Sequence, residues 1–134
     1  MIRNSKKSRS SVAGIAVLDG RIFIAKRREG GSMGGKWEFP GGKVREGESD
    51  EEALKREFME ELGVAVKPGA FIAQAEFDHD DTHFTLRAYR IVFESTEFDL
   101  CVHTEWRWAA FDDLAKLDFA PSDTLLFAGL NREA

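Results

Sequence analysis

Residues 42–64 read GKVREGESDEEALKREFMEELGV, and the rest of the chain is understood outward from them. Ser49 followed by Glu52 has the spacing of a capping box, in which each side chain accepts the other's backbone N–H at a helix start. Ala53, Leu54, Phe58 and Leu62 then recur at helical spacing, and Gly63 supplies a stop. The pattern predicts a helix over 50–62. Within it, Glu57, Glu60 and Glu61 stand at i, i+3 and i+4, within ~100° of one face. Like charges so placed cost a few tenths of a kcal/mol per pair. They also lie near the helix C-terminus, where the macrodipole disfavours anions. A solvated acidic face is one reading. The other is a hard divalent cation, which takes oxygen ligands and sits between carboxylates and phosphates. On the helix alone both stand.

Upstream, Val12 to Leu18 is apolar and partly β-branched, Asp19-Gly20 is a turn pair, and Arg21 to Lys26 holds Ile22, Phe23 and Ile24. This predicts a β-hairpin. Glu29 to Lys36 carries four glycines and reads as a loop; Trp37-Glu38-Phe39 is a short strand ended by Pro40-Gly41-Gly42. Downstream, 70–77, 84–93 and 105–111 read as strands, 112–117 as a short helix and 122–130 as a longer one. The order predicts an α/β fold with a mixed sheet covered by helices. Arg3, Lys6, Lys7 and Arg9 among serines read as a basic, solvated tail over 1–10, with a phosphate-attracting arm as the other reading. A single domain over 11–134 follows from the length of 134 residues and the lack of repeats or Pro-rich linkers.

Composition sets limits. Hydrophobic residues are 43% and charged residues 32%, as in soluble globular chains. The net charge of −5 argues against binding a nucleic-acid polymer. No apolar stretch is long enough to span a membrane. The single cysteine, Cys101, excludes an internal disulfide and reads as a structural thiol in a reducing compartment. The expectation is a cytoplasmic protein, monomeric or homodimeric, acting on a small molecule.

The neighbourhood of the acidic helix sharpens that expectation. Gly41-Gly42 lets backbone approach a ligand closely, Arg27, Arg28 and Lys43 are cations within reach of a phosphate, and Arg56 lies one turn from Glu60. Gly42, five residues, Glu48, seven residues, then Arg56-Glu57-Phe58-Met59-Glu60-Glu61-Leu62-Gly63-Val64 resembles the signature box of the Nudix hydrolases, with nine restricted positions over 23 residues. Phe58 stands where that family usually has an aliphatic residue; it is apolar and should face the core. The resemblance covers about residues 11–131 and implies an α/β/α sandwich. It also implies hydrolysis of a nucleoside diphosphate linked to another group, with Mg²⁺ or Mn²⁺. Carried over, it makes Glu57, Glu60 and Glu61 metal ligands together with the Gly41 carbonyl. Glu48 would support the metal site or hold the loop to the helix, and Arg56 would orient the glutamates.

Glu38-Phe39-Pro40-Gly41-Gly42-Lys43 resembles the MutT subgroup, which cleaves nucleoside triphosphates to monophosphate and pyrophosphate. The resemblance makes Arg27 and Lys43 phosphate-binding. It also makes Phe119-Ala120-Pro121-Ser122-Asp123 the segment that reads the base. Asp123 stands where the oxidised-guanine enzyme has an asparagine. An ionised carboxylate offers acceptors only, and the cytidine triphosphate relatives also run Ala-Pro-x-Asp. Asp123 also reads as a helix N-cap. Phe39 and Phe84 are core candidates first and base-stacking candidates second. His79 and His83 either line the base pocket or are solvated in their loop. Of Trp106 and Trp108, one is expected in the core and the other toward the cleft. Glu105 is a weak candidate for a further acid, because Val102 and His103 occupy the positions where one often sits. The alternatives are another Nudix substrate, such as a dinucleoside polyphosphate or nucleotide sugar, and a catalytically silent nucleotide-binding module.

Overall fold

A computed structural model describes residues 7–130. The chain runs β1 (Lys7–Ile15), β2 (Val17–Leu18), β3 (Arg21–Arg27), β4 (Trp37–Glu38), β5 (Gly41–Lys43), α1 (Asp50–Leu62), β6 (Val66–His79), β7 (Thr82–Phe93), β8 (His103–Ala110), α2 (Phe111–Leu114), α3 (Pro121–Thr124) and α4 (Phe127–Leu130). One sheet has the order β5-β1-β7-β6 and is mixed, with β1 parallel to β7 and the other pairs antiparallel. The second is antiparallel throughout: β3 pairs with β2, β4 and β8.

The central strands are apolar on both faces, and the period of two sorts their side chains into two cores. Ile22 and Ile24 of β3 join Ala13, Ile15, Trp37, Phe39, Leu114, Phe119, Leu126 and Leu130. Phe23 and Ala25 turn the other way, onto Ala53, Leu54, Phe58 and Leu62 of α1. α1 therefore covers one face and the short C-terminal helices the other, giving the α/β/α layering.

α1 begins and ends where its sequence signals stand. Ser49 and Glu52 complete the capping box in both directions. Gly63 takes the left-handed conformation at φ 62° and donates its N–H to the Met59 and Phe58 carbonyls. Arg87 of β7 grips Asp50 at the first turn through two bonds of 2.6 and 2.7 Å, and the Tyr89 hydroxyl adds a third at 2.5 Å. Those partners hold the Asp50 carboxyl below its ordinary range, Arg87 foremost.

Four differences from the sequence expectation stand out. Lys7–Ser10 are not tail but strand, paired with Thr82–Thr85, because β7 offers them an open row of backbone groups; residues 1–6 of the expected tail lie outside the described residues. Gly41–Lys43, read as a strand terminator, form β5 against Ser11–Ala13. The helix expected over 112–117 is the single turn α2. The helix expected over 122–130 is two single turns, because Leu125 and Leu126 bond to the carbonyls three residues back and the four-residue ladder does not continue. Among the described residues, no helix is long and apolar enough to cross a membrane.

Phe58 faces the core as expected, and β1 makes room for it. A Cβ at Gly14 would stand 2.5 Å from the Phe58 ring. Gly14→Ala should therefore destabilise the protein by about 1–3 kcal/mol through overpacking. In the Phe58→Leu background the same change should cost much less. Chemical denaturation of the two single variants and the double variant checks this; additive costs would show that Gly14 serves something other than the ring.

Candidate active site

Arg56 organises the C-terminal half of α1. Its Nε donates to Glu48 Oε2 at 2.7 Å, and its Nη2 to Glu48 Oε1 at 2.9 Å and the Lys43 carbonyl at 2.8 Å. Its Nη1 donates to Glu57 Oε2 at 2.8 Å and Glu60 Oε1 at 3.1 Å. That uses as many bonds as a guanidinium has N–H groups. Glu48 also accepts the Arg45 N–H at 2.9 Å. The Arg56 bonds, followed by the Arg45 N–H, draw the Glu48 carboxyl down to about 2. The Glu48 carboxylate in turn raises Arg56 above its ordinary value. The loop after β5 is thus tied to α1 through one charged knot.

A second cluster adjoins it. Glu38 of β4 accepts from Arg27 Nη1 at 2.9 Å and lies 2.7 Å from Nε2 of the buried His103. One atom each of Glu38, Glu61 and His103 lie within 4.8 Å of one another, a group able to hold a metal ion. Glu61 Oε1 and His103 Nδ1 are buried without a hydrogen-bond partner. Burial first, and then the Glu38 and Glu57 charges, push the Glu61 carboxyl well above the usual carboxylate range. An unpartnered carboxylate oxygen among like charges is compatible with the oxygen ligands that a hard divalent cation takes. Burial works against the Arg27 charge, but Glu38 outweighs it and leaves the guanidinium above its ordinary value.

Glycines bring the strand and helix parts together. A Cβ on Gly42 would fall 2.4 Å from the Glu57 carboxyl carbon, and one on Gly41 would fall 1.9 Å from the Val12 carbonyl oxygen. Both line a cavity of about 200 Å³, whose lining also includes Arg27 and Glu38. Elsewhere its wall is Phe39, Phe77, Phe84, Leu86 and Asp123. Phe77 and Phe84 are stacked, with ring centroids 5.1 Å apart. Asp123 is buried, and its Oδ2 accepts the Phe39 N–H at 2.9 Å. Burial, and then the Glu38 charge, push its carboxyl up to about 7.

The family model described as NUDIX domain matches residues 12–128. The chain belongs to the Nudix family. It is 36% identical to the Mycobacterium tuberculosis protein named putative 8-oxo-dGTP diphosphatase 2, over 90% of this chain and 86% of that one. It is 31% identical to the CTP pyrophosphohydrolase of Escherichia coli, over 84% and 83%. The crystal structure of a MutT protein from Methanosarcina mazei Go1 superposes with a TM-score of 0.83 at 25% identity, covering 98% of both chains. The MutT-like branch is thereby shown.

Within this Nudix fold the expected residues separate. Arg56, Glu57, Glu48 and Glu60 meet at the charged knot. Glu60 is half exposed and turns to Arg56, with Arg45 3.6 Å from its other oxygen. Glu61 alone of the three helix glutamates belongs to the buried group with Glu38 and His103. Arg27 and Gly41 line the cavity; the exposed Lys43 does not, and its carbonyl serves Arg56. Phe39 is buried against Phe119 and Phe127 as well as lining the wall.

Other expectations are corrected. Asp123 is not a cap: Ala120 occupies the N-cap of α3, and the Asp123 carboxylate reaches across the fold to Phe39. Burial, and then the Glu38 charge, favour the neutral form of its carboxyl, which can donate as well as accept. His83 lies between Glu76 and Asp78, outside the cavity. Trp106 and Trp108 both pack on Phe23, because residues two apart on a strand share a face. Glu105 is exposed and meets Arg107 at 3.4 Å. His103 stands opposite Arg27 instead of Thr104 because the β3–β8 pairing slips by one residue between Lys26 and Arg27. Such a bulge re-aims a side chain. The sequence pattern marked the position of His103 as one where a further acid often sits but gave no sign of its partnership with Glu38, which follows from the slip in register.

The Asp123 carboxyl has a folded value above its ordinary 3.8. Its contribution to stability is complete below the ordinary value and is lost as pH rises through about 7. Lowering the pH from about 8 to about 5 should raise the melting temperature of the native chain more than that of Asp123→Asn, which keeps the acceptor for Phe39. Thermal melts of both proteins across that range check it, and parallel curves would contradict it.

Proposed function

We propose that this chain hydrolyses ribo- or deoxyribonucleoside triphosphates to nucleoside monophosphate and pyrophosphate. In this reading Mg²⁺ or Mn²⁺ is held by Glu57, Glu60, Glu61 and the Gly41 carbonyl. The carrying observation is one cavity that meets the α1 carboxylate region through Gly42 and Glu38, and whose wall also carries a stacked aromatic pair and Asp123. The orphaned Glu61 oxygen and the oxygen-rich donor set fit the ion. Both protein relatives named above carry triphosphate pyrophosphohydrolase-type names, which supports the same class of substrate.

When bound, the ion neutralises phosphate charge and acidifies water. The chain's own residues position and stabilise. Arg27 presents a guanidinium to the phosphates from the cavity wall, and Lys43 adds a cation from the β5 edge. Arg56 holds Glu57 and Glu60 in place by hydrogen bonds, with Glu48 holding Arg56 in turn. A helix carboxylate takes the proton of the attacking water. Water adds to phosphorus in line, and the anhydride P–O bond breaks toward its leaving group. Phe77, Phe84 and Phe39 bound the base region, and Asp123 faces the base edge as acceptor or, when protonated, as donor.

Incubation with a panel of triphosphates and Mg²⁺ should release monophosphate and pyrophosphate, resolved by chromatography. Orthophosphate as the first product would overturn the reading. Glu60→Gln and Glu61→Gln should each lose turnover on the order of 100-fold or more. Both should stay folded, since side-chain volume is kept and Gln retains an oxygen acceptor. Wild-type turnover in both variants would sink the ligand assignment.

Asp123→Asn fixes the donor pattern that the carboxyl leaves open. It should move the ratio of kcat/KM between bases on the order of tenfold, the worth of one remade pairing in a closed pocket. Unchanged ratios would place the base reader elsewhere.

A further inference from the structure

The three-residue group of Glu38, Glu61 and His103 differs in kind from the carboxylates of the signature helix. One donor is an imidazole, and it comes from β8. His103 is 1% exposed, and its Nε2 points at Glu38 over 2.7 Å. Glu61 contributes an oxygen with no hydrogen-bond partner. Two carboxylates and an imidazole converge from three separate elements, α1, β4 and β8, with their ligating atoms within 4.8 Å. Arg27 Nη1 lies 2.9 Å from the same Glu38 oxygen and is the one cation bonded to either of the two carboxylates among the described residues.

We infer that Glu38, Glu61 and His103 form a second metal position, selective for a borderline divalent transition metal such as Co²⁺ or Zn²⁺. Donor chemistry carries the choice. Mg²⁺ prefers oxygen ligands, whereas imidazole favours the later first-row metals, whose affinity for nitrogen-containing sites is intrinsically higher. Two carboxylates match the charge of the ion. His103 is buried, and its ring is held against Glu38 by the 2.7 Å contact of Nε2. The inference shares Glu61 with the proposed Mg²⁺ ligands but does not require triphosphate hydrolysis.

The chain has three histidines, and His79 and His83 are surface residues outside the cavity. In the His79→Gln/His83→Gln background His103 is the one imidazole left. Its ring nitrogens are observed by ¹⁵N NMR in the metal-free full chain, then with Zn²⁺ and, separately, with Mg²⁺. The expected result is a shift of a ring nitrogen with Zn²⁺ at about one equivalent and little change with Mg²⁺. Ring nitrogens unmoved by saturating Zn²⁺ would overturn the inference. A Co²⁺ titration by visible absorption, on the same background with Glu38→Gln or His103→Gln added, should show at least tenfold weaker binding in whichever variant stays folded. Equal Co²⁺ affinity in a folded variant would also overturn it. Triphosphate hydrolysis with Mg²⁺ is assayed separately: its absence beside a Zn²⁺-shifted His103 counts against the proposed function alone.

Discussion

Everything at the site hangs on the guanidinium of Arg56. It sits where three carboxylates and a backbone carbonyl converge, and it gives each of them a donor. Without it, Glu48, Glu57 and Glu60 would repel one another, and the loop after β5 would keep only the exposed Arg45–Glu60 pair as a charged tie to the helix. A lysine could not replace it, because a single ammonium lacks the planar fork that serves several partners at fixed angles. The charge pattern that weakens α1 as an isolated helix is thus converted, inside the fold, into the means of fastening the helix to the sheet.

The second constraint is steric. The strands that carry the site lie between two apolar layers, so nothing near it can shift without displacing core. At Gly14, Gly41 and Gly42 a side chain would collide with an atom already in that volume, from the helix at Gly14 and Gly42 and from the neighbouring strand at Gly41. At Gly42 the occupant is the Glu57 carboxylate. At Gly14 it is the ring of Phe58, and the aromatic departure from the usual aliphatic residue is matched by the missing methyl opposite.

The parts legible in the sequence were those governed by local rules. α1 could be bounded to the residue because Ser49, Glu52 and Gly63 act within one turn of themselves. The β2–β3 hairpin announced itself through Asp19-Gly20, and Arg56 with its glutamates through their spacing. What escaped depends on long-range register. The slip at Lys26 and Arg27 decides that His103 faces Glu38, and no local pattern encodes it. The fate of Asp123 turns on a partner 84 positions away. Lys7–Ser10 became strand because β7 is long enough to receive them, and the two C-terminal turns follow from packing onto β6, where Gly129 meets Ala73 closely. The assignment of Trp106 and Trp108 to opposite faces failed on a rule that was available, since alternate strand residues point the same way.

The bond from Asp123 to the Phe39 N–H has a consequence for the order of assembly. α1, its caps and its charged knot draw on residues close in sequence, and they can form early with short loops to close. The cavity wall cannot. It needs a carboxyl from α3, a single turn with no ladder of its own, to dock against β4's exit after the sheets are in place. Helix α1 of a growing chain can therefore be complete while the cavity is still open on one side. The same segment is fastened to β4 by backbone as well, since Trp37 donates to the Asp118 carbonyl and accepts from the Ala120 N–H, so the pocket wall and the strand that carries Glu38 are secured together.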